Sequence, residues 1–289
     1  MALIPSYFLD TVVAIGFAGK PADTPRWAAT GFLYGKRADA VESIYTVGLV
    51  TNKHVFEGQQ RACLRFNPEG DQSARQFWVD LVDRAGNALW ATDPSVDLAV
   101  VAIRVDQLVE QGITVSVFRN DLDILTLSQA EEAGVSEGDG VFALGFPLGL
   151  VGENRNYVIV RQGAIARIRD AYASASRDIL VDVTVFPGNS GGPVLTRPEV
   201  VSVLGTKAIG RCALLGVISS YVPYRDVAIS AQTGMTRVVF EENSGLASVI
   251  PVDHVVRLLE DNLQDWERRG VATAAPFNRD PKRNDRNSQ

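Results

Sequence analysis

Ser190 stands among three glycines in Val185-Phe186-Pro187-Gly188-Asn189-Ser190-Gly191-Gly192-Pro193-Val194, with apolar, strand-like residues (Ile179 to Val183, Val194-Leu195) on either side. Glycine beside a reactive serine has a physical use. It lets the backbone turn sharply and present amide N–H groups to a developing negative charge. A serine hydroxyl is a weak nucleophile until a base takes its proton. The chain has 2 histidines, and one of them, His54, closes an apolar run in Thr51-Asn52-Lys53-His54-Val55. Imidazole suits the role of base because it titrates near neutrality. Asp97 opens the apolar run Leu98-Ala99-Val100-Val101. A carboxylate on the second ring nitrogen of a histidine fixes its tautomer and stabilises the imidazolium. His54, Asp97 and Ser190 lie far apart in sequence, so only a fold rich in long-range pairing assembles them.

The elements that would do so are short, apolar and rich in β-branched residues, with Gly, Pro, Asn or Asp between them. Strands are expected at 11–17, 28–34, 44–51, 62–66, 76–82, 98–103, 141–145, 158–168, 179–183, 194–195, 213–221 and 236–240. About a dozen such strands with little helical periodicity between them read as an all-β barrel or sandwich. Weak helical stretches fall at 54–59, 105–111 and 128–133. One helix is clear. Val255, Val256, Leu259, Leu263 and Trp266 recur at helical spacing, predicting a helix over about 252–269 that begins near Pro251 and stops at Gly270. Residues 1–270 read as one domain and 271–289 as a disordered tail.

The 289 residues suffice for one large β domain or two modest ones, and the net charge of −6 argues against nucleic acid as the main ligand. No segment approaches the roughly 18 uninterrupted apolar residues that a membrane-spanning helix needs. The N-terminus lacks the basic region of a secretory signal, and Cys63 and Cys212 are too few for a disulfide-stapled domain, so a cytoplasmic protein is expected. Neither metal-ligand spacing nor a phosphate-cradling motif occurs, and no cofactor is expected.

The segments around the three residues resemble those of trypsin-fold (chymotrypsin-like) serine peptidases, most of all the HtrA/DegP branch. That branch typically shows Thr-Asn-x-His-Val, Asp-Leu-Ala-Val, Gly-x-Pro-x-Gly and Pro-Gly-Asn-Ser-Gly-Gly-Pro. This chain carries Thr51 to Val55, Asp97 to Val100, Gly145-Phe146-Pro147-Leu148-Gly149 and Pro187 to Pro193, and the likeness extends from about Leu9 to Leu263. It implies two six-stranded antiparallel β-barrels with a C-terminal helix and a cleft between the barrels. It further implies Ser190 as nucleophile, His54 as general base and acid, Asp97 as orienting carboxylate, and the N–H groups of Gly188 and Ser190 as an oxyanion hole. Ser219, Ser220 and Tyr221 match the strand along which an extended protein or peptide substrate pairs, where Ser219 would reach Asp97 and Tyr221 would narrow the pocket mouth. Thr184 matches the base of the specificity pocket. With no acid at that position, a small or medium apolar P1 residue is expected.

The departures from the family bear on control. Asn189 replaces the aspartate that in many relatives captures a new N-terminus, so activation by loop ordering is expected, with a regulatory protein partner as one trigger. The residues after Gly270 are too few for the PDZ domain that usually follows in HtrA proteins. Segment 227–244 reads as an extended loop beside the specificity pocket. Each residue also has an ordinary reading: His54 as a half-buried core histidine, Asp97 or Asp93 as a turn residue, His254 as a surface residue at the start of the last helix. The alternative function is a non-catalytic or partner-regulated binding module on the same fold. An esterase would place its serine in a strand-to-helix elbow, which the strands flanking Ser190 disfavour.

Overall fold

The computed structural model describes residues 2–19, 23–38, 44–199 and 205–270, and the backbone of 274–276. The first half runs through α1 (Ser6–Asp10), β1 (Val12–Phe17), β2 (Arg26–Arg37), β3 (Ile44–Thr51), α2 (Lys53–Phe56), β4 (Arg61–Phe66), β5 (Arg75–Asp80), β6 (Trp90–Asp93), β7 (Leu98–Ala102), α3 (Val105–Glu110) and β8 (Phe118–Arg119). The second half adds α4 (Leu127–Ala133), β9 (Gly140–Gly145), β10 (Ile159–Arg167), α5 (Arg169–Tyr172), β11 (Ile179–Asp182), β12 (Pro193–Thr196), β13 (Leu214–Ile229), β14 (Thr236–Pro251), α6 (Val252–Arg268) and β15 (Ala274–Pro276).

The second half closes into a six-stranded barrel in the order β10-β11-β14-β13-β12-β9. The first half differs from the expected twin. Its strands follow the path β5-β4-β1-β2-β3-β7-β6, and among the described residues the two end strands are joined not by a ladder but by the bridge between Val82 and Ala88 and the backbone bonds beside it. Asp83 shapes the turn beyond that bridge: its Oδ1 accepts the N–H groups of Ala85 and Asn87, and its own N–H donates to the Asn87 carbonyl at 2.8 Å. The molecule is thus one closed barrel beside a sheet that is open in its ladder.

Three apolar clusters match this division. One fills the first sheet around Leu33, Leu49, Leu64 and Ile103. Another fills the closed barrel around Val141, Ile165, Val181 and Val249. The third lies between the halves, where Phe32, Val50 and Leu98 meet Leu144, Leu195 and Ile250 and the buried face of α6 (Val255, Leu258, Leu259, Trp266). Burying that stripe favours the helix far more than its intrinsic propensity does. His254 is not a surface residue. Its side chain is 13% exposed and its Nδ1 lies 3.0 Å from Asp93 Oδ2 at the end of β6, tying α6 to the first sheet. Burial opposes ionisation of Asp93, but hydrogen bonds from Ser95 and His254 outweigh it and lower its pKa to about 2.

Segment 227–244 is not a loop. β13 and β14 are each 16 residues long and pair as far as Ile229 with Thr236, so the segment forms the end of a long hairpin. Residues 274–276, within the tail expected to be disordered, pair with β3 at Ile44 to Thr46; the rest of that tail lies outside the described residues. Cys63 and Cys212 are both free, and burial pushes each thiol up to about 12, so neither supplies a reactive thiolate near neutral pH. No helix among the described residues is long and apolar enough to cross a membrane.

Candidate active site

His54 sits on α2, a single turn that follows β3 directly. Asn52 occupies the position before the helix in extended geometry, with no side-chain cap of its own. The cap comes from elsewhere in the chain. Asp97, from the turn between β6 and β7, accepts the backbone N–H of His54 on Oδ1 at 3.0 Å, and its Oδ2 lies 2.6 Å from His54 Nδ1. One carboxylate therefore fixes both the backbone and the ring of His54. Asn52 completes the clamp, its Nδ2 donating to the carbonyl of Asp97 at 2.8 Å. The side chains of His54 and Asp97 are 48% and 33% exposed, so the pair opens to solvent on one side.

The electrostatics follow. The hydrogen bond to Asp97 raises the pKa of His54 against the opposing effect of burial. Burial favours protonation of Asp97, yet the bonds it accepts from the ring and backbone of His54 prevail and hold its pKa below the ordinary carboxylate value. With Nδ1 committed to the carboxylate, Nε2 is left as the basic nitrogen.

Ser190 reaches this region through backbone contacts. Its carbonyl accepts the N–H of Thr30 on β2 at 3.0 Å, and the Thr30 carbonyl accepts the Thr51 hydroxyl at 2.8 Å, three residues before His54. The Thr30 hydroxyl donates to the Gly188 carbonyl at 2.6 Å and accepts the N–H of Phe146 at 3.0 Å. Thr30 is thus a hub that joins the first sheet to both flanks of the serine turn, and the sequence reading missed it. We expect Thr30→Val to lower kcat by roughly tenfold to a hundredfold and to cost about 1–3 kcal/mol, because two buried polar groups lose their partner while the side-chain shape is kept. Steady-state kinetics and denaturant unfolding measure the two effects.

The turn itself needs its glycines. Gly188 has φ +101°, and a Cβ there would lie 2.4 Å from the Phe146 carbonyl oxygen. The Pro187 carbonyl accepts the N–H of Leu148 at 2.7 Å, and Leu148 pays for that contact with a left-handed φ of 57°, rare for a branched side chain. Asn189 is 1% exposed; its Oδ1 accepts the N–H of Phe186, closing the turn on itself. Among the described residues the N–H groups of Gly188 and Ser190 donate to no acceptor, and Ser190 Oγ bonds to neither ring nitrogen of His54.

Arg65, on β4, is a second residue outside the sequence reading. It is 7% exposed and makes no ion pair among the described residues; its guanidinium donates to the carbonyls of Val151, Gly152, Glu153 and Arg155 and to Asn156 Oδ1. Burial lowers its pKa, and this ring of carbonyl dipoles compensates the charge. Arg65 thereby pins the loop that follows Gly149, whose base holds Pro187.

The expected substrate-side residues are placed less uniformly. Ser219 lies at an irregularity in the pairing of β13 with β14 and makes no hydrogen bond to Asp97 among the described residues. Ser220 is exposed and pairs with Ser248. The Tyr221 hydroxyl donates to Glu241 Oε1 at 2.8 Å, tying the ring to β14. Thr184 is exposed. Among the described residues no cluster of three or more His, Cys, Asp or Glu is placed to hold a metal ion.

A family model described as a trypsin-like peptidase domain matches residues 29–203. A probable periplasmic serine endoprotease, DegP-like, of Halomonas elongata is 30% identical over 158 residues, which cover 54% of this chain and 26% of that protein. The chain therefore spans about a quarter of that relative's length. Among solved structures, the MamO protease domain of Magnetospirillum magneticum (apo form) is similar at 17% identity with a TM-score of 0.47, covering 87% of this chain and 97% of that one. The HtrA-type protease AlgW, with a decapeptide, is similar at the same identity and score, covering 90% and 68%.

Proposed function

The chain belongs to the trypsin-like peptidase domain family, and from that premise we propose that it is a serine endopeptidase acting through His54, Asp97 and Ser190. The observation that carries this reading is the double hold of Asp97 on His54, through ring and backbone, with Ser190 anchored to the same sheet by Thr30.

In the proposed reaction Ser190 Oγ attacks the scissile carbonyl carbon while His54 Nε2 takes the hydroxyl proton. The developing imidazolium is stabilised by Asp97, and the oxyanion is received by the N–H groups of Gly188 and Ser190. His54 then returns the proton to the leaving amine as the C–N bond breaks, giving an acyl-enzyme. Water, deprotonated by the same nitrogen, attacks the ester; the carboxylic acid leaves and Ser190 regains its proton. No cofactor enters this sequence. The free Gly188 and Ser190 N–H groups support the oxyanion role. The Ser219–Tyr221 stretch, partly buried at Ser219 and Tyr221 and exposed at Ser220, supports an extended peptide along β13, and Thr184, uncharged, favours a small or medium apolar P1 residue.

The absent bond between Ser190 Oγ and His54 favours two further readings: a resting chain that a substrate or protein partner must order, or a binding module of this fold. A fluorophosphonate probe tests between them. Ser190-dependent labelling and peptide hydrolysis, both lost in Ser190→Ala and His54→Ala, are the expected results. Labelling without cleavage of casein or a peptide library would point to latency, and no labelling with or without candidate partners would sink the enzyme reading.

A further inference from the structure

The hairpin end built by β13 and β14 has the composition of an interface and, among the described residues, no covering element. Eight of the sixteen exposed large apolar side chains among the described residues belong to it: Val222, Tyr224, Val227, Ile229, Met235, Val238, Val239 and Phe240. From Pro223 and Asn243 to the tip, the two strands pair only with each other among the described residues. Both faces are apolar. Residues opposite one another in an antiparallel pair share a face. Arg225 with Glu241 and Val227 with Val239 therefore lie on one side, and Asp226 with Phe240 and Ala228 with Val238 on the other. A two-stranded ribbon is marginal in water by itself, and a long apolar edge invites pairing with another strand.

The two edges are not equivalent. On β13, Pro223 has no N–H, and the N–H of Val227 is occupied by the Asp226 carboxylate at 2.8 Å. That contact shows that the Val227 N–H points away from β14. Positions 223 and 227 belong to the same outward-facing set, so this edge is blunted twice. Val239 is the partner of Val227, so its own N–H and C=O also point outward, on an edge with no proline and no such cap.

The charges on β14 select what fits this edge. Arg237-Val238-Val239-Phe240-Glu241 reads as a charge-complementary sequence about Val239 when laid antiparallel on itself. Val239 then faces Val239, Val238 faces Phe240, and Arg237 faces Glu241 twice. Arg237 falls at the register shift between Val238 and Thr236, so it has no cross-strand neighbour within the hairpin, and among the described residues it makes no ion pair. Glu241 accepts the Tyr221 hydroxyl on Oε1 and Arg225 on Oε2, which hold its carboxylate in place on one face of the hairpin.

We propose that the chain forms a two-fold dimer in which the β14 edges of two copies pair antiparallel across Val239, giving a continuous four-stranded sheet. Such a contact is isologous and closes at two copies. The inference stands independently of the catalytic reading.

Sedimentation velocity and light scattering on the full chain test it. The wild type is expected to be dimeric at micromolar concentration, and Val239→Pro, which removes the axial N–H, monomeric. Arg237→Glu or Glu241→Arg alone should weaken association roughly tenfold by setting like charges opposite each other, and the double variant should restore it. Unchanged thermal unfolding of the barrels and unchanged far-UV circular dichroism would show that the variants remain folded. A monomeric or trimeric wild type, a dimer that persists in Val239→Pro, or a failure of the double swap to restore association would each overturn the proposal. So would binding of the hairpin to neutral phospholipid vesicles by a chain that stays monomeric.

Discussion

Asp97→Asn is expected to lower kcat by about 10⁴-fold while leaving the fold intact, an effect of the size seen when a histidine base loses its orienting carboxylate. The amide keeps the volume and can still accept the His54 backbone N–H. What changes is the ring. An asparagine that turns its NH₂ toward Nδ1 stabilises the tautomer with the proton on Nε2, the nitrogen that must be basic. The pH profile supplies a second readout with a definite sign. Asp97 is the main cause that raises the pKa of His54 above its ordinary value, and catalysis needs the neutral ring. In the wild type the acidic limb of kcat/KM, which reports the free enzyme, should therefore lie above about 6.5, the pKa of an unperturbed histidine. In Asp97→Asn that limb should move to lower pH even as the plateau falls. A limb that stays in place would show that His54 is not the titrating base.

Gly191→Ala should be the most damaging single-methyl change in the site. Gly191 has φ +82°, and a Cβ there would fall 2.2 Å from Thr51 Oγ1 and 2.3 Å from the Thr30 carbonyl oxygen. Both atoms are buried and bonded to each other, so neither yields without breaking the hub that holds Ser190. Left-handed strain and overpacking together should cost about 3 kcal/mol or more, read as a fall in the denaturant midpoint. A shift of the serine turn removes both oxyanion donors from place, so probe labelling should slow by at least about 10²-fold. Gly210→Ala is the matched control, with nothing within 4 Å of its Cβ and an ordinary φ. It should leave stability and labelling unchanged. Equal effects of the two substitutions would mean that the packing around Gly191 does not control the turn.

Much of the site was legible because it depends on side-chain type. His54, Asp97 and the glycine-rich turn stand out in the chain, and the structure brings His54 and Asp97 into contact. The apolar spacing of α6 fixed its ends to within a residue, since one helical face must be buried whatever it packs against. Other residues carried no such sign. Thr30 acts through backbone and hydroxyl bonds to segments distant in sequence, so in the chain it looks like any strand threonine. Arg65 reads as a surface charge until the loop carbonyls fold over it. Thr184 and Tyr221 were matched by position alone, and the structure leaves one exposed and turns the other toward Glu241. His254 shares its type with His54, yet burial against Asp93 makes it a structural tie.

By itself the amino-acid sequence determined which groups can do chemistry, the order in which the chain delivers them, and the local elements that carry them. Each of those is encoded residue by residue, in pKa, periodicity and backbone freedom. The tertiary structure alone decided that Asp97 also caps the turn bearing His54, that Thr30 locks the serine turn to the first sheet, that the ladder of the first sheet stays open between β5 and β6, and that β13 and β14 run on into a hairpin uncovered among the described residues. These outcomes depend on hydrogen bonds and burial between segments tens to more than a hundred residues apart. Which distant backbone groups find each other is settled only when every buried polar group has to be paired at once.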